Sequence, residues 1–292
     1  MKPAPFAYHR AHSVGEAVAL LCELGDEAKI LAGGLSLVPM MNFRLARPTA
    51  LIDVTRIADL SYLRADPADG LRIGALTTHR TVETTRDPAV LASYRVLPRS
   101  AHWIGHYPIR ARGTFGGSIA HADPSSEWCL LAVLLDAVVV LTGPDGTREV
   151  PAAEFLEGYY TTAASPDEMI TELYFPRPAP HAVLTEFAPR QGDFAVVAAA
   201  VSLDLDAGLC RSGRVVLGGV GPQPVQVDTS ALSGQPADPG TWQAMGEHAA
   251  GQVDPPEDTH GTSEYRRRLT ATLVSRALAE ASTSADESVD TP

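Results

Sequence analysis

Two segments pair adjacent glycines with hydroxyl side chains, Ala32-Gly33-Gly34-Leu35-Ser36 and Thr114-Phe115-Gly116-Gly117-Ser118. Glycine permits positive φ angles and lets backbone N–H groups close on an anion with no Cβ in the way. The first pair follows Lys29-Ile30-Leu31-Ala32, read as a short buried strand. It leads into a helix-like stretch from Ser36 to Leu45, whose N-terminal dipole would favour a phosphate. Thr114 and Ser118 flank the second pair, so the two segments together suit the two phosphates of one dinucleotide. Neither fits G-x-G-x-x-G or the P-loop, which sets aside nicotinamide Rossmann and nucleoside-triphosphatase readings. Taken singly, each pair is more often a plain loop.

Other candidate groups are weaker. His121-x-Asp123 has no third ligand at useful spacing, and no metal site is expected. His102 and His106 stand four apart in a possible helix but lack the glutamate of H-E-x-x-H. Asp53 closes a strand without a dinucleotide fingerprint before it. No nucleophile–histidine arrangement and no obvious general acid or base is identifiable, which suits a protein whose cofactor does the electron chemistry.

The elements that must hold these residues follow from pattern. Ser13-Val14-Gly15-Glu16 is a capping box, and Gly25 supplies the stop, which predicts a helix from about 14 to 24. Strands are expected at 51–54 and 71–75, and helix in pieces over 78–105, split near Asp87-Pro88 and Pro98. Asp123-Pro124 reads as the start of a helix, with Asp123 as N-cap. A hairpin is expected over 137–150, strands over 194–205 and 214–219, and a closing helix over 265–281. The stretch 230–262 shows little pattern, and the proline-rich 176–180 reads as a linker.

The chain has 292 residues, 45% of them hydrophobic, enough for a sizeable core in more than one unit. Its net charge of -12 offers no basic stripe for nucleic acid. The most apolar run, 128–141, is broken by Asp136 and is shorter than the roughly 20 residues of a membrane span. With no signal-like N-terminus, a cytoplasmic protein is the expectation. The three cysteines, Cys22, Cys129 and Cys210, are far apart and cannot hold an iron–sulfur cluster, which takes about four thiolates.

The surroundings of the glycine pairs sharpen the reading. Residues 104–124, Ile-Gly-His-Tyr-Pro-Ile-Arg-Ala-Arg-Gly-Thr-Phe-Gly-Gly-Ser-Ile-Ala-His-Ala-Asp-Pro, closely resemble a signature of the FAD-binding medium subunits of molybdenum hydroxylases, the xanthine dehydrogenase and carbon monoxide dehydrogenase family. Ala32 to Met40 resembles that family's A-G-G-x-S-L-x-P-x-M turn, and Phe187 to Ala195 its F-A-x-R-x-G-D-F-A stretch. The resemblance covers roughly residues 3–281. It implies an α+β chain: a PCMH-type FAD-binding domain over 1–177, in two α/β subdomains of about 1–56 and 57–177. A smaller α+β domain of the carbon monoxide dehydrogenase flavoprotein C-terminal type would follow over 181–282, then a disordered tail over 283–292.

By the same resemblance, Lys29, Ile30, Leu31, Ala32, Gly33, Gly34, Leu35 and Ser36, with Thr114, Phe115, Gly116, Gly117 and Ser118, would wrap the pyrophosphate and ribityl chain of non-covalent FAD. Asp123 would accept from a ribose or ribityl hydroxyl. Phe194 would stand near the flavin ring, its alternative being ordinary strand core. Two positions depart from the family: Leu35 replaces a polar residue and Ala111 an asparagine. With Leu35 in an unusual place, the first segment is the less certain half of the grip. The implied role is electron transfer in a complex with a molybdopterin-binding large subunit and a [2Fe–2S] small subunit, with NAD+, a quinone or another acceptor downstream. A stand-alone flavoenzyme acting on a small molecule is the alternative, and a scaffold that has lost FAD is a third.

Overall fold

The computed structural model describes residues 2–283. The first unit is a three-stranded parallel sheet of β1 (Ala7–Arg10), β2 (Ala28–Leu31) and β3 (Ala50–Asp53), in the order β1-β3-β2. Parallel neighbours need crossovers, supplied by α1 (Val14–Leu24) and the short α2 (Leu37–Asn42). Ser13 caps α1 by accepting from the Glu16 N–H, while the Glu16 carboxylate accepts from the His12 N–H. All four residues of the central strand β3 are buried. β2 is an edge strand with Lys29 exposed and Ile30 and Leu31 half-buried, a correction to the buried strand expected there.

The second unit is an antiparallel sheet ordered β4-β5-β10-β6-β7, from β4 (Leu63–Asp66), β5 (Gly70–Gly74), β6 (Val138–Gly143), β7 (Gly146–Pro151) and β10 (Met169–Phe175). Between β5 and β6 run α3 (His79–Glu83), α4 (Pro88–Ser93), α5 (Val96–Ala101), α6 (Tyr107–Arg110), α7 (Phe115–His121) and α8 (Glu127–Leu134). Pro98 does not split a helix; it sits in the first turn of α5, where no intrahelical N–H is owed. After β7 come α9 (Ala152–Phe155) and the ribbon of β8 (Leu156–Gly158) with β9 (Thr161–Thr162). Every residue of α8 is buried, so the apolar run starting at Trp128 is core. Among the described residues no helix is long and apolar enough to cross a membrane.

The third unit is an antiparallel meander of β11 (Ala182–Phe187), β12 (Val197–Asp206), β13 (Leu209–Gly218) and β14 (Val225–Gln226), backed by α10 (Pro239–Gly251) and α11 (Ser263–Thr283). Along β12, Val197, Ala199 and Val201 join the core beneath the two helices, whereas Ala198 and Ala200 join that of the second unit. A strand buried on both faces reads as an unbroken apolar run, as 195–201 does. α10 answers the stretch that showed little pattern: Asp238 caps it and Pro239 takes the first turn, but its burial is confined to Trp242, Met245, Gly246 and Ala249. Of the tail expected to be disordered, only Thr283 lies among the described residues, where it ends α11.

Candidate functional site

The first glycine segment leaves the carboxyl end of β2, beside the carboxyl end of its parallel neighbour β3. Gly34 has φ +74°, a left-handed value suited to glycine, and its carbonyl accepts from the Val38 N–H at 3.0 Å. Among the described residues, no protein acceptor takes the backbone N–H of Gly33, Gly34, Leu35 or Ser36. Four consecutive donors thus stand open in a partly exposed turn. Position 35 therefore contributes a backbone donor, which its apolar side chain does not remove.

The second segment differs from the free turn expected of it. Thr114 is the N-cap of α7, accepting from the Gly117 N–H at 3.1 Å, and Gly116-Gly117 form the first helical turn. Phe115 donates its N–H to Thr77 O at 2.8 Å and Gly116 to Ala75 O at 2.9 Å. A Cβ on Gly116 would come within 2.6 Å of the Ala75 Cβ, so this glycine serves close packing. Phe115 is fully buried and stacks on Trp128 with ring centroids 4.5 Å apart. Gly117 is exposed and Ser118 half-buried, the Ser118 hydroxyl lying 2.8 Å from that of Ser126.

The structure brings the two segments together. A Cβ on Gly33 would stand 2.4 Å from Arg112 O and 2.9 Å from the Gly113 Cα. Gly113 in turn packs on His79, whose N–H donates to Gly113 O at 3.0 Å. The two arginines of this stretch have separate uses. Arg110 is buried, pairs with Glu83 at 3.0 Å and donates to Gly105 O at 2.9 Å, which clamps the loop leading into α6. The Arg112 side chain is exposed, and among the described residues it has no partner. It is an uncommitted cation beside the junction.

Asp123 is buried but does not cap a helix. α8 starts at Glu127 behind Ser126, and the Asp123 carboxylate accepts from the Ser125 N–H at 2.9 Å in an Asx turn. Its other oxygen lies 3.4 Å from the Tyr160 hydroxyl, which burial and then Asp123 push to a higher pKa. Ala122 and Tyr160 both have left-handed φ, 51° and 55°, and Tyr160 N–H donates to Ala122 O. His121 sits against the Tyr160 ring at 5.0 Å, and burial lowers its pKa. Among the described residues no cluster of three metal-ligating side chains occurs.

Phe194 lies on the loop before β12 and is 64% exposed, so the strand-core alternative does not hold. That loop packs near the start of the second motif: a Cβ on Gly192 would be 2.7 Å from the His106 ring. A cleft of about 270 Å³ between His102, Trp103, Glu186, Phe187, Arg190 and Gln191 adjoins it, and neither glycine segment lines it. His102 and His106 do not share a helix; one caps the end of α5 and the other the start of α6. Asp53 is structural, holding Thr55 at 2.6 Å and the Tyr8 hydroxyl. The sequence carries no signal for His79 or Tyr160, because their surroundings depend on neighbours distant in the chain; Arg112 stands in the signature over 104–124, but nothing there shows that its side chain is free.

Residues 4–178 match the family described as the FAD binding domain in molybdopterin dehydrogenase. The chain belongs to that family. Residues 182–281 match the carbon monoxide dehydrogenase flavoprotein C-terminal domain. The chain is 38% identical to the 6-hydroxypseudooxynicotine dehydrogenase complex subunit alpha of Paenarthrobacter nicotinovorans, over 96% of each chain. It is 36% identical to the carbon monoxide dehydrogenase medium chain of Hydrogenophaga pseudoflava, over 95% of this chain and 97% of the relative. A chain in the crystal structure of quinoline 2-oxidoreductase from Pseudomonas putida 86 superposes with a TM-score of 0.93 at 33% identity, covering 98% of this chain and 99% of that one. The FAD-binding family is that of the sequence resemblance, and FAD is its cofactor.

Proposed function

We propose that this chain holds FAD non-covalently across the junction of its two glycine segments and serves as the electron-transfer subunit of a molybdopterin-dependent hydroxylase or dehydrogenase. The observation that carries the reading is the run of four open N–H donors at Gly33–Ser36, set against Arg112-Gly113. Such a run is a ready-made cradle for an anion, and a Cβ at Gly33 would close it. In this reading Lys29 to Leu31 deliver the segment from β2, and Ala32 to Ser36 grip the pyrophosphate. Arg112 offsets its charge. Thr114 to Ser118 form the opposite wall, rigid because the N–H groups of Phe115 to Ser118 are spent within the protein. Asp123 accepts from a ribose or ribityl hydroxyl, and Phe194 presents an exposed ring toward the flavin.

Bound FAD supplies the redox chemistry, accepting electrons from iron–sulfur clusters and releasing them to NAD+, a quinone or another acceptor. The cysteines of this chain cannot hold such clusters: Cys129 and Cys210 are buried and only Cys22 is exposed. The partners are therefore a [2Fe–2S] small subunit and a molybdopterin-binding large subunit, with the substrate pocket on the latter. The names of the relatives support this division, since one architecture accompanies dehydrogenases or oxidoreductases of carbon monoxide, 6-hydroxypseudooxynicotine and quinoline. The test is purification of the chain from its native cell with whatever accompanies it. Flavin bands together with iron, molybdenum and two further chains are expected. A preparation that neither carries nor takes up FAD refutes the site; an isolated flavoprotein that turns over a small molecule refutes the subunit role.

A further inference from the structure

His79, at the start of α3, belongs to neither glycine segment yet its ring abuts their junction. The residue is 5% exposed, and the Trp128 Nε1–H donates to its Nδ1 at 2.9 Å. Indole N–H is a donor only, so Nδ1 is the acceptor and a neutral ring carries its proton on Nε2. Burial, and then the nearby Arg110 charge, push the His79 pKa down to about 4, so the ring is neutral at pH 7. Trp128 is itself fixed, fully buried and stacked on Phe115. Nε2–H is thus a donor of settled tautomer on a ring held from behind.

That donor has no protein acceptor. Among the described residues, the fully sealed side-chain nitrogens and oxygens without a partner are His181 Nδ1, Glu186 Oε2, Ser263 Oγ and Arg266 Nε. His79 Nε2 is not one of them, so it keeps a path to the outside. It stands where a Gly113 side chain would be, 2.6 Å from the position of that missing Cβ. Gly33 approaches the same glycine, its own missing Cβ 2.9 Å from the Gly113 Cα. A buried donor without an acceptor costs stability unless a ligand or water completes it.

Resting on the reading of this junction as the FAD site, we propose that His79 is a FAD-binding residue whose Nε2–H donates to a pyrophosphate oxygen, with Trp128 as the positioning residue that fixes its tautomer. A neutral donor adds a hydrogen bond to the anion without the cost of burying a cation.

The test uses the native preparation, stripped of flavin and titrated with FAD and with ADP. His79→Phe is expected to raise both dissociation constants about tenfold or more, the loss of one charge-assisted hydrogen bond. His79→Phe/Trp128→Phe, which leaves no orphaned indole N–H, should show the same loss with near-normal thermal unfolding of the apoprotein. Trp128→Phe alone should cost less, because the tautomer is then free but still available. In the unaltered protein, hydrogen exchange at the His79 C2 position, read by mass spectrometry, should slow with FAD or ADP and be unchanged with riboflavin. If the histidine variants do not fold, that exchange decides the matter. A folded His79→Phe with unaltered FAD and ADP affinity, or exchange indifferent to both ligands, overturns the proposal. If Gly33→Ala loses FAD while His79→Phe does not, only the role of His79 falls; if the native preparation takes up no FAD, the site reading falls with it.

Discussion

Gly33→Ala places a methyl group where the two glycine segments touch. The added Cβ would lie 2.4 Å from Arg112 O, 2.9 Å from the Gly113 Cα and 3.0 Å from the Arg112 carbonyl carbon. All three neighbours are backbone, so no rotamer change relieves the contact. Ordinary carbon contacts are near 3.5–4.0 Å, so the strands of the junction must part by about 1 Å. Overpacking of this kind costs about 1–3 kcal/mol where the chain cannot yield. Here one side is the partly exposed turn 32–36, so most of the displacement falls on that turn and on its open N–H groups. Losing one or two charge-assisted hydrogen bonds, at about 1.5–3 kcal/mol each, weakens FAD by at least about tenfold. The assay is FAD binding by ultrafiltration beside thermal unfolding of the apoprotein. Gly15→Ala is the control, since nothing lies within 4 Å of a Cβ there. Wild-type FAD affinity in Gly33→Ala, with unchanged apo stability, would show that the segments are not held in the close contact described.

Arg112→Gln removes the uncommitted cation at the junction. It should weaken FAD about fivefold, an exposed charge pair contributing up to about 1 kcal/mol, and flatten the salt dependence of binding. An unchanged salt slope would count against it. Ala207→Asn addresses the two-residue turn between β12 and β13, where Ala207 and Gly208 have φ 49° and 78°. Asparagine tolerates that conformation, so stability should rise by about 0.5–1 kcal/mol with FAD affinity unaltered. A fall in the melting temperature would contradict that. Glu127 is buried in the first turn of α8, and burial, then the charge of Glu186, raise its pKa from 4.5 to about 8. The folded state then keeps a proton that the unfolded chain releases, so stability declines as pH rises from about 4.5 to about 8. Glu127→Gln should match the wild type near pH 4 and melt several degrees higher at pH 8; parallel melting profiles across that range would refute the assignment.

Local signals in the sequence agree with the structure where local chemistry decides. The capping box at Ser13–Glu16 forms the start of α1, and the turn 143–146 joins β6 to β7. They misled where tertiary contacts override them. Asp123-Pro124 has every mark of a helix start, yet the backbone turns left-handed at Ala122 and α8 waits until Glu127. β4 and β1 leave no mark in the sequence, because four-residue edge strands with exposed side chains carry too short a period. The meeting of Gly33 with Gly113 was out of reach altogether, since only the folded chain juxtaposes them.

In the proposed reading the segment with the plainer signature supplies most of the anion contacts. The motif with the more specific signature is the one whose donors are already spent: Phe115, Gly116 and Gly117 bond to Thr77, Ala75 and Thr114. Its glycines are constrained by packing against Ala75 and His79, which makes it a rigid wall. The plainer motif at Gly33–Ser36 keeps its donors open, and Leu35 does not impair them because the backbone offers the hydrogen bond. In the proposed site, backbone amides, one exposed arginine and a neutral imidazole would share the work of receiving an anion in a chain of net charge -12. Side-chain charge is then needed only to a small extent, and geometry carries the specificity. In the proposed reading a signature match points to the junction, while the open N–H groups single out the part of it that would meet the phosphates.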